Sequence, residues 1–310
     1  MTAVPLPNLS IIIVSWNVRD RLRACLASLP WADGDVEVIV VDSASSDGTP
    51  AMVRAEFPAA RLLASTENLG YSRGNNLGLE AARGRLALIL NPDTELVGQA
   101  LLLMVGYLDA HPRVGVLGPR LILPDGSVQS SRRRFPSLAT AFFESTWLAP
   151  LAPRSLLARY YAEDLPLDAP VEVDWLVGAA LLVRREVWQQ VGRLDEGFFM
   201  YSEELDWQRR IKAAGWQVVY FPAAQVRHHE AQSSAQVPAA THIRFNSSKV
   251  RYFRKYHGAL AGEGLRWYLL GHFAFQLGLE WLKGAAGNQR ELRRARVAAY
   301  RDVLRSGLRS

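Results

Sequence analysis

Leu86-Ala87-Leu88-Ile89-Leu90-Asn91-Pro92-Asp93-Thr94-Glu95 is the stretch that decides the fold. Five apolar residues in a row, too few for a helix and closed by a Pro-containing acidic segment, read as a buried strand running straight into a loop with two carboxylates. Buried strands of this kind belong to sheets covered by helices. The sequence upstream alternates accordingly. Ser10 to Ser15 reads as a strand, Arg19 to Leu29 as a helix, Val36 to Val41 as a second strand, Thr49 to Glu56 as a helix and Arg61 to Ala64 as a short third strand. Glu67-Asn68-Leu69-Gly70-Tyr71-Ser72-Arg73-Gly74-Asn75-Asn76 then leads into a helix reaching Arg83. The expected fold class is α/β, an open sheet with helices on its faces.

Open α/β sheets bind ligands at the carboxyl ends of their strands, so Asn17, Asp42, Arg73 and Asp93 are expected to converge there, which argues for a nucleotide pocket. A dinucleotide-binding fingerprint is excluded, because Ser15-Trp16-Asn17-Val18-Arg19-Asp20 joins the first strand to its helix without a glycine. A Walker loop is also missing, which removes the usual phosphoryl-transfer ATPases. A second acidic site lies in Phe198-Phe199-Met200-Tyr201-Ser202-Glu203-Glu204-Leu205-Asp206-Trp207. Three carboxylates crowd into the first turn of an expected helix, where the positive end of its dipole favours their ionised form, behind an aromatic run that excludes water from one side. The plain alternative is a charged helix start after a loop.

A chain of 310 residues fits one globular domain with an appendage. Its single Cys25 cannot form an internal disulfide, and Met1 to Asn8 has no basic leader region, so the expected compartment is the reducing cytoplasm. Helical apolar spacing around Cys25 marks a packed core thiol rather than a nucleophile. The net charge of +6 conceals an asymmetry, because from Arg244 onward 14 Lys or Arg face 4 Asp or Glu, leaving that tail at +10 and the remainder at −4. Aromatic and aliphatic residues interleave with charges from Trp267 to Lys283, which favours an anionic membrane surface over nucleic acid as the partner. The uncharged run from Trp267 to Leu279 is short of the roughly 20 residues a spanning helix needs, so an in-plane or docking helix is expected, with a helix packed on the protein body as the alternative. The expected division is a body over 1–243 and a basic amphipathic helical tail over 244–310.

Six motifs in order carry a resemblance: Ser10 to Asn17; Val40-Val41-Asp42 with Ser46-Asp47-Gly48-Thr49; Asn68-Leu69-Gly70 with Gly74-Asn75-Asn76; Leu90-Asn91-Pro92-Asp93; Trp175-Leu176-Val177-Gly178-Ala179; and Phe198 to Trp207. Over residues 9 to 257 the chain resembles a family-2 glycosyltransferase with the GT-A fold, a Rossmann-like mixed sheet with helices on both faces, of the branch that contains bacterial rhamnosyltransferases. The resemblance implies a nucleotide diphosphate sugar donor held by Ser15, Asn17, Asp42, Arg73, Asn76 and Asn91, with dTDP-rhamnose ranked before a UDP-sugar. Asp42 takes the base-contacting position; on its residues alone it is equally a turn former. Asp93 matches the last acid of an Asp-x-Asp motif that binds Mg²⁺ or Mn²⁺, while Asn91 replaces the first acid, and His228 in Val226-Arg227-His228-His229-Glu230, five residues before Ser233, matches a further ligand. Two adjacent histidines otherwise read as solvated loop residues.

The family's general base is the second residue of a Glu-Asp pair, which is Glu204 here, with Asp206 as a rival, and the reaction implied is a single inverting displacement. Trp175, Gly178 and Glu203 fall at the acceptor side, Trp175 otherwise reading as a core residue. The run Ser131-Arg132-Arg133-Arg134 reads as a solvated loop or as an attractor of a phosphorylated acceptor. Leu148 to Pro170 reads as a mobile insertion covering the acceptor. The implied acceptor is a glycan or lipid-linked sugar in bacterial polysaccharide or cell-wall synthesis, the expected place of action the inner membrane face. Two alternatives stand beside this: a sugar-nucleotide-binding protein without transfer activity, favoured by Asn91 and Glu204, and a sugar nucleotidyltransferase, which lacks the glycine-rich basic triphosphate loop it needs.

Overall fold

The computed structural model describes residues 7–31, 34–144, 146–229, 238–287 and 289–309. They form two compact units. The first holds residues up to 135, 161–196 and 203–233 and is built on a mixed nine-stranded sheet. Strands β1 (Leu9–Ser15), β2 (Val36–Ser43), β3 (Arg61–Ser65) and β4 (Leu86–Leu90) lie parallel in the order β3-β2-β1-β4. The crossovers are α1 (Arg19–Ala27), α2 (Thr49–Glu56) and α3 (Gly70–Ala81). These elements match the expected ones, with α2 and β4 agreeing to the residue.

Alternation along the strands explains the two layers of core. Ile11, Ile13, Val38, Val40, Leu88 and Leu90 face one way onto Leu22, Cys25, Leu26 and Met52. Ile12, Ile39, Val41 and Ile89 face the other way with Leu79, Trp207 and Ile211. Helix α3 lies close on β1 because it presents glycine there: a Cβ at Gly74 would stand 2.7 Å from Val14 Cγ1. Cys25 is fully buried and its thiol is pushed up to about 12 by that burial, so it is a core residue and no nucleophile.

Beyond β4 the sheet turns mixed. The remaining strands are β5 (Thr94–Val97), β6 (Val114–Ile122), β8 (Val171–Val173), β10 (Ala180–Arg184) and β11 (Gln217–His228), while β7 (Arg132–Arg133) and β9 (Trp175–Leu176) pair separately. Helices α4 (Ala100–Ala110), α7 (Arg185–Val191) and α8 (Glu203–Ala213) complete this unit. Strand β10 runs antiparallel between β4 and β6, and β11 runs parallel to β6.

Strand β11 is the largest departure from the sequence reading, which ended it at Phe221. Its register against β6 jumps between Phe221 and Gln225, so Pro222, which lacks a ladder donor, sits in an irregularity, and pairing resumes beyond it. The resumed strand pairs antiparallel with β5, setting Arg227 opposite Glu95 and His228 opposite Thr94.

The second unit holds residues 136–160, 197–202 and 234–310. It contains α5 (Leu138–Phe143), a short 3₁₀ turn, α6 (Arg154–Tyr160), α9 (Pro238–His257), α10 (Ala259–Ala285) and α11 (Arg290–Ser306). Ser137 caps α5 by accepting from the Thr140 N–H at 3.1 Å. Leu265, Leu269 and Phe273 line the buried side of α10, where the Phe273 ring meets those of His242 and Tyr300. Among the described residues no helix is long and apolar enough to cross a membrane.

Candidate active site

Sheet register assembles the first group of side chains. Ser15 and Asp42 are neighbours at the carboxyl ends of β1 and β2. Asp42 is 1 % exposed; its Oδ2 accepts from the Ser45 N–H at 3.0 Å, while Oδ1 is buried without a partner. One oxygen makes the turn and the other is unspent, so the two readings of this residue coexist. Ser15 Oγ and Ser43 Oγ beside it are also buried and unpaired. Buried polar atoms without partners cost free energy unless a ligand satisfies them, which marks this edge as a recognition surface. Asn17 has a left-handed backbone, φ 52°, and its Oδ1 accepts from the Ser46 N–H at 2.8 Å, fixing the β2 turn against the β1 turn.

The second group comes from the β4–β5 loop and the end of β11. His228 Nε2 lies 3.4 Å from Asp93 Oδ1, and both residues are buried. Its Nδ1 stands 2.9 Å from Gln129 Oε1. An amide oxygen only accepts, so Nδ1 carries a proton and Nε2 is the nitrogen turned to the carboxylate. That is the orientation a metal-ligating histidine adopts, with its outer N–H anchored. Asn91 Oδ1 is buried without a partner in the same loop. Among the described residues no three His, Cys, Asp or Glu gather as a self-sufficient metal cage. Two protein ligands of this type suit a hard divalent cation whose remaining positions come from a diphosphate and water. His229 is committed elsewhere, its Nε2 2.7 Å from Glu95 and its Nδ1 3.2 Å from Arg21 Nη1. Glu230 and Ser233, which entered the sequence spacing, lie outside the described residues.

The third group is the start of α8. Tyr201 and Ser202, just before it, have φ 71° and 65°, left-handed values that carry strain for residues with a Cβ. Glu203, buried, and Glu204, half-buried, follow, each with a buried Oε2 that has no partner. Burial and the Glu204 charge push the Glu203 carboxyl well above the usual carboxylate range. Burial also raises Glu204, but backbone N–H groups, including that of Gly178, and the more distant Arg133 oppose the rise. Both carboxyls are raised, Glu203 the more strongly, because burial penalises two charges placed side by side.

Gln208, one turn along, donates from Nε2 to the Leu176 and Glu204 carbonyls and accepts the Leu176 N–H at 2.8 Å, which locks the helix start to β9. Tyr71 at the start of α3 donates its phenol O–H to the Gly178 carbonyl at 2.6 Å. Burial and both glutamates hold that phenol far above its ordinary value, so it remains a donor. Asn91 N–H donates to the Ala179 carbonyl at 2.9 Å, tying the acidic loop to the same turn.

Several expected residues are placed differently. Asp206, the rival base, is fully buried with Oδ2 3.0 Å from Arg210 Nε, and Arg210 also donates to the Val191 and Arg193 carbonyls, so this carboxylate fastens α8 to its neighbouring loop. Asn76 donates to the Leu194 carbonyl and Glu196, and accepts the Leu194 N–H at 3.0 Å. Arg73 is exposed and paired with Glu67 at 2.7 Å. Trp175 is buried and donates its indole N–H to the Arg134 carbonyl, as the core reading has it. The arginine run is no free loop: Arg132 donates to the Leu165 and Pro166 carbonyls, Arg134 pairs with Asp164, and Arg133 lies over the Tyr161 ring. These contacts hold 161–166, part of the segment expected to be mobile. Sequence reading missed the roles of Tyr71, Gln129 and Gln208. Gln208 had a signal, four residues after Glu204 on one helix face; Gln129 had none.

Residues 10–188 match the family described as Glycosyl transferase family 2. The chain is 34 % identical over 281 residues, 86 % of its length and 91 % of the relative's, to the N-acetylglucosaminyl-diphospho-decaprenol L-rhamnosyltransferase of Mycobacterium tuberculosis strain H37Rv. It is 26 % identical to rhamnosyltransferase WbbL of Escherichia coli K12, covering 71 % of this chain and 82 % of that one. Among solved structures it is similar to mannosyltransferase PcManGT from Pyrobaculum calidifontis in complex with GDP-Man and Mn²⁺, with TM-score 0.57, 19 % identity, and 97 % of this chain and 86 % of that one covered. GalNAc-T7 with UDP, GalNAc and Mn²⁺ gives TM-score 0.58 at 14 % identity, over 80 % of this chain and 48 % of that one. The chain belongs to the family-2 glycosyltransferases, and its fold is GT-A with C-terminal helices.

Proposed function

We propose that this glycosyltransferase moves a sugar, rhamnose before others, from a pyrimidine nucleotide diphosphate to a glycan or lipid-linked acceptor, with inversion and with a divalent metal. The observation that carries the metal-dependent reading is the Asp93–His228 pair, with the imidazole proton turned away to Gln129. The name of the mycobacterial relative supports a diphosphate-linked polyprenol sugar as acceptor and rhamnose as the transferred group. Both similar structures are complexes with Mn²⁺, which supports Mg²⁺ or Mn²⁺ here.

Asp42 would accept the imide N–H of uracil or thymine on its unspent Oδ1, and Asp93 with His228 would hold the cation. Bound there, a divalent cation supplies Lewis-acid stabilisation of the leaving diphosphate. Glu204 takes the proton of the acceptor hydroxyl as its oxygen bonds to the anomeric carbon and the bond to the diphosphate breaks. Glu203 beside it is the more strongly raised of the two. The test is product analysis by NMR with dTDP-rhamnose and a polyprenyl-diphosphate-linked N-acetylglucosamine, with and without EDTA. Inverted anomeric configuration and loss of turnover on chelation are expected; retained configuration or full activity in excess EDTA overturns the respective part. Consumption of a nucleoside triphosphate and a sugar phosphate would favour the nucleotidyltransferase reading instead.

The same proposal places the enzyme at the inner face of the membrane through the tail. The outer face of α10 presents Trp267, Phe275, Trp281 and Leu282 to solvent, and α11 carries exposed Arg290, Arg294 and Arg301. Aromatic and aliphatic side chains next to a basic row suit an anionic lipid surface. Flotation with phosphatidylglycerol vesicles should recover the full chain and recover it less at high salt. Equal recovery of Trp267→Glu/Trp281→Glu protein would leave the tail as packing.

A further inference from the structure

The end of β11 is tied to two other elements through the second histidine of the pair. Arg21 of α1 donates from Nη1 to His229 Nδ1 at 3.2 Å, and His229 Nε2 stands 2.7 Å from Glu95 Oε1 on β5. A guanidinium only donates, so Nδ1 accepts that bond, the ring carries its proton on Nε2, and Nε2 donates to the carboxylate. The imidazole thus links the Arg21 cation to the Glu95 carboxylate. The other Glu95 oxygen faces Arg227, its cross-strand neighbour, at 3.7 Å. Side-chain exposures of 14 % for His229 and 28 % for Glu95 keep most water away from this bridge, so its bonds are not readily exchanged for solvent. The backbone of the same residue closes on the acidic loop: the His229 N–H donates to the Asp93 carbonyl at 2.9 Å.

We propose that His229 is a positioning residue for the metal ligands: by bridging Arg21 and Glu95 it fixes the last residues of β11 against the start of β5, and so fixes how far His228 Nε2 stands from Asp93 Oδ1. This rests on the reading of Asp93 and His228 as ligands. Strand β5 has only four residues, and His228 opposite Thr94 is the last rung of its ladder with β11. The end of a short ladder frays unless something beyond it holds. Here the His229 N–H adds one bond past the final rung and the imidazole adds two more, to α1 and to β5. Gln129 sets the rotation of the His228 ring, whereas His229 sets the backbone from which that ring projects. Without the bridge the rung opens for part of the time. A cation that needs both ligands then binds more weakly by the fraction of molecules in which they stand together.

The experiment titrates Mn²⁺ calorimetrically into the full chain saturated with dTDP or UDP, whichever binds more tightly, and titrates the same nucleotide into each variant in EDTA. His229→Ala should weaken Mn²⁺ binding roughly 10-fold, the lower end of what residues behind metal ligands contribute, while nucleotide affinity in EDTA stays at the wild-type value. His229→Gln places an amide N–H where the Nε2–H stood, so it keeps the bond to Glu95 and should recover most of the affinity. In a Glu95→Ala background the bridge is already broken, and His229→Ala should cost less than about twofold further. Wild-type Mn²⁺ affinity in His229→Ala overturns the proposal, as does a His229→Gln variant as weak as His229→Ala, or an equal cost in both backgrounds. A merely structural role would lower the binding stoichiometry and the melting temperature with Kd unchanged, and that result overturns it too. His228→Ala separates the two readings. If Mn²⁺ binding depends on His228 but not on His229, only this proposal falls; if the wild type binds no Mn²⁺ with nucleotide, or binds it equally well in His228→Ala, the ligand assignment falls and this proposal with it.

Discussion

Replacing Glu204 by Gln is the sharpest perturbation of the proposed mechanism, because it keeps the shape of the side chain and removes only its ability to take a proton. Neither atom of the amide takes up a proton at the position of Oε2, which is buried and unpaired. The acceptor hydroxyl is then left without a base. A general base contributes roughly 10²–10⁴-fold, or about 3–5 kcal/mol of transition-state stabilisation, and turnover should drop by that amount. Donor affinity should hold, since Asp42, Asp93 and His228 are untouched. The substitution also removes a charge that burial penalises, so thermal stability should not fall. Steady-state turnover, calorimetric titration with dTDP and a melting curve read all three. Asp206→Asn is the matched control: breaking its 3.0 Å pair with Arg210 should cost roughly 1–3 kcal/mol of stability and leave turnover per folded molecule near normal. A large loss of turnover in Asp206→Asn together with near-normal Glu204→Gln would refute the reasoning and move the role to Asp206.

Gln129→Leu leaves both metal ligands in place but frees the His228 tautomer, so Mn²⁺ affinity in the presence of nucleotide, measured by calorimetry, should weaken roughly 10–100-fold; unchanged affinity would take His228 out of the donor set. Asp42→Asn replaces an acceptor by a group that is half donor, and should weaken UDP and dTDP binding while leaving overall folding intact; if GDP or ADP already binds the wild type more tightly than either, the base-contact role is wrong. Burial holds Glu204 above its ordinary value of 4.5, so the acid limb of kcat should lie above that of a free glutamate, activity vanishing as pH falls through it. Burial and the neighbouring Glu204 raise the Glu203 carboxyl above its unfolded value of about 4.5, so its contribution is full below that value and disappears as pH rises through the raised folded one. Glu203→Gln should therefore flatten that slope and raise the melting temperature near neutral pH; an unchanged slope in denaturant titrations would show that Glu203 is ionised in the fold.

Most of the parallel half of the sheet was legible in the sequence. Strand β4 and helix α2 fall on their expected residues because runs such as Leu86 to Leu90, and an N-terminal Thr49-Pro50 with helical spacing behind it, are decided locally. Asp42 and Asp93 could be placed at the carboxyl edge for the same reason, since each directly follows a strand whose direction topology fixes. The resemblance then supplied roles that no periodicity contains.

What the sequence could not decide was anything that depends on register between distant segments or on shared desolvation. His228 reads as a loop residue after Pro222, and only the resumption of β11 beyond that irregularity, paired with β5, brings it beside Asp93 from 135 positions away. Three carboxylates in the first turn of α8 look alike on paper. Packing separates them by giving Asp206 to Arg210, leaving Glu203 buried without a counter-charge, and setting the Glu204 side chain against the bare Cα of Gly178. The arginine run looks solvated until its carbonyl partners at Leu165 and Pro166 are brought to it. Local propensity and periodicity act over a few residues and are written in the chain. Ionisation and ligand geometry are set by which groups exclude water from one another, and only the folded arrangement of segments far apart in sequence determines that.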